Sequence, residues 1–300
     1  MANPLKSFVA SVLPAPLLNN LRRRYETPAP VGEPLRQPAP HLPEDPLEAS
    51  KHFTAAKASA DGIEGMLSEF SMAAMDCLLG LQHAAGVAGH IVEFGVFKGR
   101  SAAILAHRAR AEERFLLCDI APYLEADKIA AIAPQMEFVL CGSEDFRSRF
   151  PRYGELSRQC RLIHIDSSHA YRTTINELSM CEELLSDHGI AVLDDFTNLN
   201  YSQILAATYK YLYTNPTDLA VFMVTEEKAY ICRKGAFDYY ARFVLREILT
   251  TMAARGLDNV CLSRTDRDPE YRAIYLRYRL PGETGPFYAP QIYGHHYVDP

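Results

Sequence analysis

Short continuous apolar runs, each stopped by turn residues, recur along the chain and alternate with stretches whose apolar positions repeat at helical spacing. The first complete unit is Ile91-Val92-Glu93-Phe94-Gly95-Val96-Phe97-Lys98-Gly99-Arg100-Ser101, followed by an alanine-rich run over residues 102–110. An apolar run that meets a glycine, a short turn and a second glycine predicts a buried strand swinging into a helix. Further strands are expected over residues 115–119, 137–140, 161–165 and 190–193. The runs at 220–224 and 229–232, joined by Thr225-Glu226-Glu227-Lys228, predict a β-hairpin. Upstream, residues 64–81 place Met66, Phe70, Ala73, Ala74, Cys77, Leu78 and Leu81 at near-helical spacing, a core-facing pattern. A helix with Ile175, Leu178, Cys181 and Leu185 on one face separates the fourth and fifth strands, and another runs from beyond Gly235 to about residue 254. Five strands alternating with helices and a closing hairpin make seven, an α/β arrangement with a mostly parallel sheet.

The two ends read differently. Residues 1–47 form an N-terminal arm: an apolar stretch over 5–21 runs into Arg22-Arg23-Arg24, and a segment dense in proline follows, which forms neither a helix nor a central strand. The arm is expected to dock on the protein, with a partner's docking site or a weak membrane-surface contact as the alternatives. Residues 48–235 carry the alternating pattern and form the main domain, and 236–300 form a C-terminal helix and tyrosine-rich extension packed on it. That extension holds Tyr271, Tyr275, Tyr278, Tyr288, Tyr293 and Tyr297 with His295 and His296; surface packing is its plainest role, and lining an acceptor pocket or contacting a second subunit in a homo-oligomer stays open.

Composition narrows the function. A net charge of −6 argues against a nucleic-acid partner. The 7 cysteines form no C-x-x-C pair and read as reduced core thiols of a cytoplasmic protein. No apolar run reaches the length of a membrane span.

The candidate chemistry lies at the strand ends, where open α/β sheets bind ligands. Gly95 and Gly99 permit the sharp corner and a close approach of ligand to backbone, and the free amides of the following helix face the bound molecule. The spacing Glu-x-Gly-x-x-x-Gly-x-Ser departs from the dinucleotide fingerprint, and Glu93 suits a ligand with an amino group while repelling a pyrophosphate. Asp119, ending the second strand, is placed to accept the hydroxyls of a ribose. The fourth strand ends in Asp166-Ser167-Ser168-His169 and the fifth in Asp194-Asp195-Phe196. Three carboxylates converging there would repel one another unless a divalent cation held them ionised, and oxygen-only ligands favour Mg²⁺ or another hard ion.

The glycine corner resembles motif I of class I S-adenosylmethionine (SAM)-dependent methyltransferases. Together, Glu-Phe-Gly-Val-Phe-Lys-Gly-Arg-Ser, His-Ile-Asp-Ser-Ser-His and Leu-Asp-Asp-Phe resemble metal-dependent sugar O-methyltransferases of the macrocin (TylF) and mycinose-pathway type, across about residues 60–235. The resemblance implies a Rossmann-like seven-stranded class I methyltransferase sheet, mostly parallel with a terminal β-hairpin and flanked by helices. It implies SAM bound by Glu93, Gly95, Gly99, Ser101 and Asp119, with Ser143 in the turn that contacts adenine. It also implies a metal on Asp166, Asp194 and Asp195, and His169 as general base; many relatives carry an acid where Ser168 stands, which leaves the base open between His169 and another residue. The acceptor implied is a small molecule or glycan with a sugar hydroxyl. The alternatives are a catechol-like hydroxyl or a non-catalytic SAM-binding protein. His164, inside an apolar strand, reads as a satisfied core residue.

Overall fold

The computed structural model describes residues 44–264 and 273–283. Two helices precede the sheet: α1 (Pro46–Asp61), capped by the Asp45 carboxylate, and α2 (Glu69–Ala84), capped by the Ser68 hydroxyl. The alternating region follows as β1 (His90–Phe94), α3 (Arg100–Ala106), β2 (Phe115–Asp119), α4 (Ala126–Ala130), β3 (Met136–Leu140), α5 (Phe146–Arg149), β4 (Cys160–Ile165), α6 (Tyr171–Leu184) and β5 (Leu185–Leu193). Then come α7 (Ser202–Thr214), β6 (Leu219–Val224), β7 (Ala229–Arg233), α8 (Phe237–Arg246), α9 (Ile248–Ala253), β8 (Val260–Arg264) and β9 (Ile274–Tyr278).

The strands form one sheet in the order β3-β2-β1-β4-β5-β7-β6-β9-β8. Strands β1 to β5 are parallel, β7 runs antiparallel between β5 and β6, and β9 pairs parallel to β6 and antiparallel to β8. The seven expected strands are present, and the C-terminal extension adds two more. Strand β9 buries Ile274 and Leu276, strand β8 buries Val260, Cys261 and Leu262, and the two pair with each other through their backbones.

Side-chain alternation divides the core. Ile91, Phe115, Leu117, Leu162, Ile190 and Val192 pack with helices α1, α2, α3, α8 and α9, whereas Val92, Phe94, Leu116, Ile163, Ile165 and Leu193 pack with α5, α6 and α7. Each such fully buried side chain contributes roughly 1.5–3 kcal/mol. Ions clamp the first helical layer: Asp76 on α2 receives Arg108 at 2.7 Å and Arg255 at 2.7 Å, and both guanidiniums also reach Glu44.

Element ends differ from the sequence reading in several places, among them β5, which starts at Leu185, a residue the helical spacing placed on the face of α6. Helix α2 starts at Glu69, not near residue 64, because Ser68 caps it, and Met66 therefore leaves the core and is 95% exposed. Helix α3 stops at Ala106, and the helix after Gly235 is interrupted at Glu247. The arm up to residue 43 and the tail from residue 284, with Tyr288, Tyr293, Tyr297, His295 and His296, lie outside the described residues, as does Tyr271. Among the described residues no helix is long and apolar enough to cross a membrane.

Candidate active site

The glycine corner forms where β1 runs out against the turn after β4. Gly95 has φ 81°, and a Cβ there would lie 1.9 Å from the Asp166 carbonyl oxygen, so only glycine fits. Gly99, at φ 102°, is the N-cap of α3 and sits against Leu124 and Ile129. Between them the chain is held by Asp119, whose Oδ2 accepts the Val96 and Phe97 amides at 2.7 and 2.8 Å. Its Oδ1 accepts the Ala121 amide at 2.9 Å. Asp119 thus organises the corner itself, and Oδ1 keeps one acceptor position for a further donor.

Over these strand ends lies a cavity of about 380 Å³, a size ordinary for a small-molecule site. Gly95, Ser101, Asp119, Ser143, Asp166 and His169 all line it, as does the exposed Met66. The Ser143 hydroxyl is buried and has no hydrogen-bond partner within the protein. Glu93 is not among the lining residues. It is fully buried, with Oε1 receiving the Ser101 hydroxyl and lying 2.8 Å from His164 Nδ1, while Oε2 has no partner. Glu93 and His164 are register partners on β1 and β4, which puts them side by side on one face of the sheet.

The acidic turns after β4 and β5 meet beside the cavity. His169 Nε2 lies 2.7 Å from Asp195 Oδ2 and 3.6 Å from Asp166 Oδ1. These three side chains offer ligand atoms all within 4.8 Å of one another. The Asp166 carboxylate, with further help from Asp195, holds the His169 imidazole above its ordinary pKa against the effect of burial. Burial pushes Asp166 up, but His169, Lys228 and His164 outweigh it and hold the carboxyl below the usual range. The Tyr201 ring stacks on His169 at 4.2 Å between centroids. Asp194 does not join this group: it forms an ion pair with the fully buried Lys228, and its Oδ1 accepts the Asp195 amide at 2.8 Å. Of the three carboxylates expected together, the structure unites Asp166 and Asp195 and turns Asp194 inward.

Three further groups matter here that the sequence reading did not select. Lys228 stands directly before the apolar start of β7 and is fully buried, which requires a charge partner. Glu177, on the inner face of α6, bonds the Ser167 hydroxyl beside the cavity, and burial with the nearby Glu144 charge pushes its carboxyl up to about 7. Tyr201 belongs to no motif, and nothing in its surroundings in sequence marks it.

The family model described as a methyltransferase domain matches residues 92–196, from β1 through the turn after β5. No curated protein matches the chain in sequence. Among solved structures, the apo form of CalS11, described as a TDP-rhamnose 3'-O-methyltransferase of calicheamicin biosynthesis, aligns at 18% identity and a TM-score of 0.44, covering 65% of this chain and 99% of that one. A protein of Corynebacterium glutamicum aligns at 11% identity and TM-score 0.44, over 72% of this chain and 97% of its own. Cofactor-bound Rv0187 from MTB aligns at 16% identity and TM-score 0.45, over 74% and 98%.

Proposed function

We propose, from the match of residues 92–196 to a methyltransferase-domain model, that the chain transfers the methyl group of SAM to a hydroxyl of a sugar or glycosylated metabolite, with Mg²⁺ or another divalent cation at Asp166 and Asp195. One observation carries this reading: a single cavity is lined both by the glycine corner and by the turn bearing Asp166 and His169. A donor seated at the corner is thereby brought beside the groups that would prepare an acceptor oxygen.

The residues present fit a bound SAM. The cavity is of suitable size, and Ser143 Oγ, on a residue that lines it, is a buried oxygen without a hydrogen-bond partner. Asp166 and Asp195 likewise fit a small hard cation such as Mg²⁺, which leaves His169 beside them free to take a proton. When bound, SAM supplies a methyl group on a cationic sulfur that is its own leaving group, and the cation supplies a lowered pKa for a hydroxyl beside it.

The chain does the rest. Ser101 and the α3 amides hold the cofactor, and Ser143 offers a further hydrogen bond from the cavity lining. His169, in its neutral form, takes the acceptor proton on Nε2, and the neighbouring Asp195 stabilises the imidazolium that results. Tyr201, stacked on His169 and 42% exposed, gives the acceptor a flat apolar face of the kind a sugar ring packs against. The buried, unpaired thiols support a reducing, cytoplasmic setting.

Assaying S-adenosylhomocysteine release with nucleotide sugars, glycosides and catechols in the presence of Mg²⁺ tests the assignment. Turnover on a glycosyl acceptor, abolished by EDTA and restored by Mg²⁺, is the expected outcome. Turnover on catechols alone would replace the acceptor class, and full turnover in excess EDTA would remove the cation.

A further inference from the structure

Asp194 and Asp195 are neighbours in sequence but occupy opposite settings. Asp195 faces His169 at the cavity, whereas Asp194 is 8% exposed and points at an ammonium group with no exposure at all. Asp194 Oδ2 also lies 4.0 Å from His164 Nε2, and His164 Nδ1 lies 2.8 Å from Glu93. Lys228, Asp194, His164, Glu93 and Ser101 thus form a buried line from the β6–β7 hairpin to the glycine corner.

The hairpin that carries Lys228 is closed by its own turn and tied to the rest of the protein at two points. Its Lys228 amide donates to Thr225 Oγ1 at 3.0 Å, Glu227 O accepts the Phe196 amide at 2.8 Å, and Glu227 Oε2 accepts the Ser71 hydroxyl of α2 at 2.9 Å. The ammonium is therefore held in place. Its positive charge also reaches Asp166, where it acts with His169 against the effect of burial. An unpaired carboxylate at this depth would be costly, and Lys228 removes that cost without any bound ion.

We propose that Lys228 is a built-in cation of the site: it neutralises Asp194 and keeps it out of any metal shell, leaving a divalent ion to Asp166 and Asp195. This rests on the cation reading given above and departs from a three-aspartate ligand set. Lys228 is a positioning residue, acting on the acceptor side of the site through Asp194.

Mn²⁺ alone is the probe, its binding to the full chain followed by electron paramagnetic resonance and calorimetry. Asp194→Asn should leave Mn²⁺ affinity within about threefold of wild type, while Asp166→Asn weakens it at least about tenfold. Lys228→Met, which frees a third carboxylate, should tighten Mn²⁺ binding by about tenfold or more, and adding Asp194→Asn should reverse the gain. If wild type takes up no Mn²⁺ but Lys228→Met does, the cation part of the proposed function fails and the role of Lys228 stands. An Asp194→Asn loss as large as that of Asp166→Asn overturns the inference. So does a Lys228→Met protein that binds no more tightly than wild type. Lys228→Gln replaces Lys228→Met should the latter not fold, with the same outcomes.

Discussion

His169 and Asp195 touch across the site with both backbones in the left-handed region, at φ 56° and 52°, and their Nε2 and Oδ2 atoms 2.7 Å apart. Each such non-glycine conformation costs about 1–3 kcal/mol and persists only where its surroundings over-determine it. Here the Tyr201 ring holds one partner, and Asn198 Nδ2 donates to Asp195 Oδ1 at 2.8 Å to hold the other.

His169→Ala should lower methyl transfer by about two to four orders of magnitude, the usual share of a general base, while S-adenosylhomocysteine affinity stays within about threefold. Stopped-assay kinetics and calorimetry give the two numbers. Wild-type turnover in the variant would assign proton removal elsewhere.

Gly95→Ala should cost at least about 3 kcal/mol of stability, since its Cβ would meet the Asp166 carbonyl at 1.9 Å in a backbone conformation alanine resists. Chemical denaturation measures it. A variant as stable as wild type would mean that β1 and the β4 turn are not packed as described.

Asp119→Ala removes the acceptor for the Val96 and Phe97 amides. Hydrogen exchange at these two amides should accelerate, and S-adenosylhomocysteine should bind at least about tenfold more weakly because the corner loses its shape. Unchanged exchange with weakened binding would instead point to a direct ligand contact alone.

Glu177, 2% exposed, has its carboxyl pushed from 4.5 up to about 7, mainly by burial and then by Glu144. Between those values the folded state keeps a proton the unfolded chain has lost, so this group's contribution to stability falls as pH rises from about 4.5 to 7 and is level above. Glu177→Gln should remove that slope and be more stable than wild type at pH ~8 by about 1–3 kcal/mol. Denaturant titrations across the range decide it, and parallel profiles for the two proteins would refute the assignment.

The strands β1 to β7, the glycine corner and the placing of Asp119, Ser143, Asp166 and His169 at strand ends were legible in the sequence. All follow from local signals: an apolar run stopped by a turn fixes where a parallel strand ends, and that end is where ligands bind. Strands β8 and β9 were obscured because they are short and lie beside a tyrosine-rich stretch that read as surface packing. What tertiary structure alone decided was the direction and partner of each side chain. Adjacent aspartates leave a strand end in opposite senses, so Asp195 faces His169 while Asp194 meets Lys228, a partner brought in by the pairing of β5 with β7. Glu93 reads as a ligand by its position in the corner, yet the β1–β4 register sets it beside His164 beneath the cavity. Met66 fits a helical face by spacing, but the Ser68 cap starts the helix after it and leaves Met66 at the cavity wall. Periodicity states which face a residue shares within its own element, and only packing between elements states what that face meets.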